Sequence, residues 1–154
     1  MKKKIRLILV LCLCFLLTGC NAFLKTTNCS SVSDQTVNGY KITTNYNIYS
    51  RWKNVKRVEI TQIIESSDDQ ILKKFENNLK KQYKSYNAMY NGYKYKFSRK
   101  NGKLNVYLTI NYEDFQMKKF LKDNEAMKKY VNKKNELTLD GAVSMYKASG
   151  VMCK

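Results

Sequence analysis

Leu17-Thr18-Gly19-Cys20 is the stretch of this sequence whose residue types and spacing spell out a reaction. Small residues at Thr18 and Gly19 let a peptidase reach the backbone, and the thiol that follows can carry a diacylglyceryl group. The residues before it fit the same chemistry. Met1 to Arg6 is strongly cationic, and Leu7 to Leu17 runs apolar for eleven residues, interrupted only by Cys12 and Cys14. Eleven residues are too few to cross ~30 Å of hydrocarbon as a helix, so the segment has the form of an export signal. Its basic start keeps that end on the cytoplasmic side. The whole is a lipobox: residues 1–19 are expected to be removed, and Cys20 to become the lipidated first residue. Two acyl chains, at ~0.8 kcal/mol per buried methylene, would hold the product stably on a membrane.

Other chemistry is sparse. Cys29 and Cys153 are the thiols left beyond Cys20. A disulfide between them suits an oxidising envelope, but it requires their Cα atoms to come within ~7 Å. Sequence alone leaves two unpaired thiols as the default. The chain has no histidine, the usual general base near neutral pH. Its adjacent carboxylates, Asp68-Asp69 and Glu113-Asp114, lack the spacing of a calcium loop. The first pair suits the positive end of a helix, and the second falls at a strand end. No catalytic residue, metal site or cofactor is expected.

The formal charge is +17, and losing Lys2, Lys3, Lys4 and Arg6 with the signal leaves +13. Anionic lipid, an anionic wall polymer or an envelope protein with an acidic surface are the partners this charge suits. Nucleic acid is excluded, because an exported domain rarely meets it and four arginines are few for base readout. Lysine, asparagine and tyrosine are abundant while alanine is scarce and proline absent. An A/T-rich coding bias would generate much of that basicity by itself.

The elements that must carry these residues follow from periodicity. Asn21 to Asp34 is rich in Thr, Ser and Asn and reads as a flexible tether. Tyr40, Ile42, Thr44, Tyr46 and Ile48 alternate with polar residues, as do Val58, Ile60, Gln62 and Ile64. These predict an antiparallel pair with a turn in 47–54, where Trp52 is expected to pack at the rim. Ser67 with Gln70 resembles a capping box opening a helix. Leu72, Phe75, Leu79, Tyr83, Tyr86 and Tyr90 form its apolar stripe. Lys73, Lys74, Lys80, Lys81 and Lys84 take the other faces, as an ordinary solvated surface or a cationic docking one. Tyr93, Tyr95 and Phe97 lead into Asn101-Gly102, which predicts a type I′ hairpin returning through Leu104, Val106, Leu108 and Ile110. Tyr93, Tyr95, Tyr107 and Tyr112 form either an aromatic binding patch or cross-strand packing. Residues 113–135 predict one or two short helices broken near Asp123-Asn124. Thr138 is placed to cap a last helix that ends at Gly150.

The sequence resembles the YehR-like family of small bacterial lipoproteins. The likeness rests on the lipobox, on Tyr83-Lys84 leading to Gly92, and on Leu108-Thr109-Ile110-Asn111-Tyr112-Glu113-Asp114-Phe115. The Thr138–Gly150 segment, with Met145 and Lys147-Ala148, completes it. Val151-Met152-Cys153 stands where members carry an aromatic after the last glycine. The resemblance implies a small α+β domain on a lipid anchor, with no established activity to carry over.

The expected fold is therefore α+β: an antiparallel sheet of about four strands in two hairpins, with a long amphipathic helix and a C-terminal helix packed on it. The expected organisation is a signal over 1–19, lipidated Cys20 and tether over 20–34, and one globular domain over 35–154. The expected role is an extracytoplasmic, membrane-anchored binding or structural module. An accessory or protective lipoprotein engaging an incoming peptide or neighbouring membrane complex is the alternative.

Overall fold

The computed structural model describes residues 24–154. Nine elements are labelled: β1 (Lys25–Gln35), β2 (Tyr40–Arg51), β3 (Asn54–Glu65), α1 (Asp69–Tyr90), β4 (Tyr93–Lys100), β5 (Lys103–Asn111), α2 (Met117–Asp123), α3 (Leu139–Ala148) and β6 (Met152–Cys153). Short 3₁₀ turns occupy Thr36–Asn38 and Glu125–Tyr130. The strands form one antiparallel sheet in the order β4-β5-β3-β2-β1-β6. The fold is α+β as expected, but the sheet has six strands rather than about four.

The two additional strands explain each other. Residues 25–34, expected as tether, pair with β2 residue by residue from Lys25↔Ser50 to Gln35↔Tyr40. Composition hid this strand because it lies near the sheet edge, where backbone pairing rather than apolar alternation holds it. Its one buried residue is Cys29. β6 is two residues long and pairs Cys153 with Cys29, and the two are joined by a disulfide 124 residues apart in sequence. The two cysteines, left as unpaired thiols by default from sequence, are thus bonded across the last pair of strands.

One face of the sheet is packed and the other is bare. Ile48, Val58, Ile64, Leu104, Val106, Leu108 and Ile110 are buried and share one face by the two-residue strand period. A fully buried aliphatic side chain of this kind contributes roughly 1.5–3 kcal/mol. Leu72 of α1 packs on Ile64, Leu104 and Val106. Ala142 of α3, Leu137 and Val151 pack on Ile48, Val55 and Val58. Tyr90 and Phe115 close the region over Leu108 and Ile110. A β-bulge, where Lys56 is the extra residue between Arg57 and Val55, keeps Val55 on this packed face.

Helix boundaries follow local chemistry. Asp68, not Ser67, caps α1: its carboxylate accepts from the Gln70 amide at 2.8 Å. Ser66 is held elsewhere, donating to the Gly39 carbonyl at 2.7 Å and accepting from the Asp68 amide. Thr138 caps α3 as its position predicts, accepting from the Gly141 amide at 3.0 Å. Gly141 is required for another reason, since a β-carbon there would collide with the Tyr130 carbonyl oxygen.

Because the disulfide closes a very long loop, its removal should lower the unfolding free energy by about 2–4 kcal/mol. Urea midpoints with and without reductant, and for the Cys29→Ser/Cys153→Ser double variant, measure this. Coincident midpoints would show that the bond adds nothing to the paired edge.

Candidate functional site

Cys20 and the expected cleavage residues Leu17, Thr18 and Gly19 lie outside the described residues. The described chain begins at Leu24, and the first strand pair sets Lys25 against Ser50, one residue before Arg51. At this end of the sheet, Trp52 and Lys53 form the two-residue turn between β2 and β3. Trp52 is 91% exposed, so it does not pack at the rim as expected. Its φ is +58°, in the left-handed region that bulky residues rarely occupy and hairpin turns usually assign to Gly, Asn or Asp. The base of the turn is firmly held. Leu139 donates its amide to the Lys53 carbonyl at 2.8 Å, and Val55 donates to the Leu137 carbonyl at 2.8 Å. Asn54 donates through Nδ2 to Glu136 at 2.8 Å, and Asn132 donates to the same Glu136 oxygen at 3.0 Å.

Beside the turn lies a cavity of about 350 Å³ whose lining includes Leu24, Arg51, Lys56, Arg57, Lys94 and Glu113. Four cations face one carboxylate across its walls. Each comes from a strand or the bulge: Arg51 from β2, Lys56 and Arg57 from β3, and Lys94 from β4. The Arg57 guanidinium stacks 4.3 Å over the Tyr49 ring and pairs with Glu59 at 3.2 Å. Tyr49 donates its hydroxyl to the same carboxylate at 2.9 Å, which raises the phenol's pKa. Lys56 pairs with Glu113 at 3.8 Å. Such a constellation can accept an anionic group of phosphate or carboxylate type.

Sequence reasoning missed this cluster because its members are scattered over 51–94 and meet only through strand pairing. The available signal was the run Arg51, Lys53, Lys56 and Arg57 flanking a predicted turn. The lysines singled out instead, Lys73, Lys74, Lys80, Lys81 and Lys84, are all exposed on α1. Lys80 is tied to Glu76 at 2.6 Å and lies 5.4 Å above the Phe97 ring.

The tyrosine set divides between the two faces. Tyr93 and Tyr95 stand opposite Ile110 and Leu108 on the packed face, whereas Tyr107 stands on the bare one, 46% exposed. Tyr112 and Tyr146 pack into the core, where burial raises both phenols above their ordinary range. Burial likewise pushes Tyr93 up to about 12. The carboxylate pairs do not converge. Asp69 binds Arg99 at 2.6 Å while Asp68 caps the helix, and Asp114 accepts from Asn111 Nδ2 at 2.6 Å. Among the described residues no three His, Cys, Asp or Glu side chains are grouped to hold a metal ion. No helix among them is long and apolar enough to cross a membrane.

No family model matches the chain, and no curated relative matches it. Its fold is similar to the NMR structure of the E. coli YehR protein, with a TM-score of 0.55 and 16% identity over 84% of this chain and 90% of that one. The NMR structure of a protein from Streptococcus pneumoniae TIGR4 aligns with a TM-score of 0.48 and 15% identity, covering 85% of each chain. The likeness to YehR shows a shared fold at low identity.

An asparagine tolerates the left-handed region far better than a tryptophan does. Trp52→Asn should therefore stabilise the protein by about 1 kcal/mol. A raised urea midpoint is the expected result, and an unchanged or lowered one would mean that the turn carries no strain.

Proposed function

We propose that this chain is a lipid-anchored extracytoplasmic lipoprotein whose domain serves as a binding module at the bacterial envelope. The observation that carries it is the one-sided burial of the sheet. None of the residues on the bare face is buried, from Asn45 and Asn47 on β2 through Thr61 and Ile63 on β3 to Asn105, Tyr107 and Thr109 on β5. Those strands are rigidly backed by the core, so hydroxyls, amides and one exposed phenol are held at fixed spacing. Such a surface suits an extended polymer or a flat protein partner better than a small molecule. The disulfide supports an oxidising compartment, since such bonds persist outside the cytoplasm. The sequence Leu17-Thr18-Gly19-Cys20 supports anchoring.

Two measurements test the parts separately. Replacing Cys20 with serine should abolish labelling by a fatty-acid analogue and release the protein from the membrane fraction. Retained label on that variant would sink the anchor. A photo-cross-linking side chain at Tyr107 should capture an envelope partner on intact cells, and one at Lys81 on α1 should not. Capture from Lys81 alone would move the binding surface to the helix.

A further inference from the structure

The strand β1 changes how far the domain can stand from its proposed anchor. A tether running to Asp34 would give the domain a leash of fourteen residues from Cys20, whereas the described strand is paired from Lys25 onward. Leu24 is four steps along the chain from Cys20, and four fully extended steps span at most about 14 Å. Anchoring at Cys20 therefore brings one particular end of the sheet against the bilayer: the end holding Leu24, the Trp52-Lys53 turn and the cationic cavity.

The side chains at that end match a bilayer surface. Trp52 stands out 91% exposed from a turn whose base is pinned by the Asn54–Glu136–Asn132 hydrogen bonds. Its ring is thus presented outward by a rigid mount, at a backbone angle that a turn built for stability would give to Gly or Asn. Tryptophan is the side chain that most favours the headgroup layer, because its ring is apolar and its indole N–H still finds a partner. Around it, Arg51, Lys53, Lys56, Arg57 and Lys94 supply positive charge against Glu113, with Glu59 holding Arg57 from the neighbouring position of its strand. Phosphate groups of lipids complement that charge in sign and, for the two guanidinium groups, in shape.

We propose that this end of the sheet docks on an anionic bilayer, with Trp52 entering the headgroup layer and Arg51, Lys56, Arg57 and Lys94 receiving lipid phosphates. The inference rests on the membrane-anchored reading for its geometry, but it is testable without the anchor.

Trp52 is the only tryptophan in the sequence, so intrinsic fluorescence reports this residue alone. The mature chain from residue 20 onward, carrying Cys20→Ser and so free of the basic, apolar signal, is mixed with vesicles of phosphatidylglycerol and phosphatidylcholine, or of phosphatidylcholine alone. On the anionic vesicles its emission should shift to shorter wavelength and be quenched by brominated acyl chains, and salt should reverse both effects. Lys53→Gln and Lys94→Gln, at exposed positions that leave the core untouched, should each weaken vesicle binding about fivefold. Trp52→Ala should lose much of the vesicle binding, read by sedimentation. Emission that stays water-like while the protein sediments with anionic vesicles would overturn the docking end. Equal shifts on neutral vesicles would overturn the phosphate part. Release from anionic vesicles by millimolar inorganic phosphate at constant ionic strength, without prior Trp52 shift, would identify a free-anion site instead. Failure of fatty-acid labelling on the unmodified chain bears on the anchor, and leaves these readouts standing.

Discussion

The two-residue period of β3 is the constraint on which the other elements lean. This strand lies inside the sheet between β5 and β2, and its alternate residues sort the chain into two chemistries. Val58, Ile60 and Ile64 face the helices, while Arg57, Glu59, Thr61 and Glu65 face outward. A slip of one residue would drive two carboxylates and a guanidinium into the core, so the register is strongly specified. The Lys56 bulge then corrects the phase at the end of the strand. Without it Val55 would turn outward and Leu137, Ala142 and Val151 would lose a packing partner. The same bulge places Lys56 and Arg57 side by side at the cationic cavity, so a packing device and a charge cluster share one irregularity.

How much of this was legible in the sequence depends on which force held each element. Where burial held it, the pattern was plain: β2, β3 and β5 alternate, α1 carries its stripe, and Asn101-Gly102 turns with both φ values positive. Capping chemistry was also legible at Thr138, where a hydroxyl stands three residues before the amide it accepts from. At α1 the same logic was one residue out, because Ser66, Ser67, Asp68 and Asp69 all offer oxygens and tertiary contacts decide among them. β1 was illegible because its polar side chains make no periodic signal. β2 follows it directly, but polar side chains give that pairing no pattern to announce it, and its other partner, the two-residue β6, is distant in sequence and found only by folding. The cation cluster was hidden for the same reason, since side chains from three strands meet there without any local motif.

The free edge at β4 shows how this sheet avoids continuing into another chain. Tyr93 and Phe97 turn inward against α1 and Phe115, while Lys94, Lys96 and Lys100 line the alternate positions. A row of lysines repels a second copy of the same edge and discourages strand addition. On the other side a two-residue strand and a disulfide cover β1 only at its middle, around Cys29 and Ser30. The exposed lysines of α1 extend the positive character without forming a shared pocket, and Lys80 is already engaged by Glu76. Charge in this protein is therefore of two kinds. Most of it is dispersed and solvated, and a smaller part is gathered by strand geometry around one cavity.

That distinction sets the two proposed surfaces at different stretches of one sheet. The strands of the central hairpin run twelve residues each, about 40 Å at the usual strand rise. If their Trp52 end rests on a bilayer, the bare face stands beside the strand axis and stays open beyond the cationic cavity. Membrane docking then centres on the turn and its cations and partner binding on Thr61, Ile63 and Tyr107, and the two meet at Thr109, which stands on the bare face and also lines the cavity. Under the proposed anchoring, the short reach from Cys20 would also limit rotation of the domain, so the bare face would be presented at a restricted range of heights and angles. A partner embedded in or lying along the same envelope would meet a pre-oriented surface, which lowers the rotational freedom lost on binding.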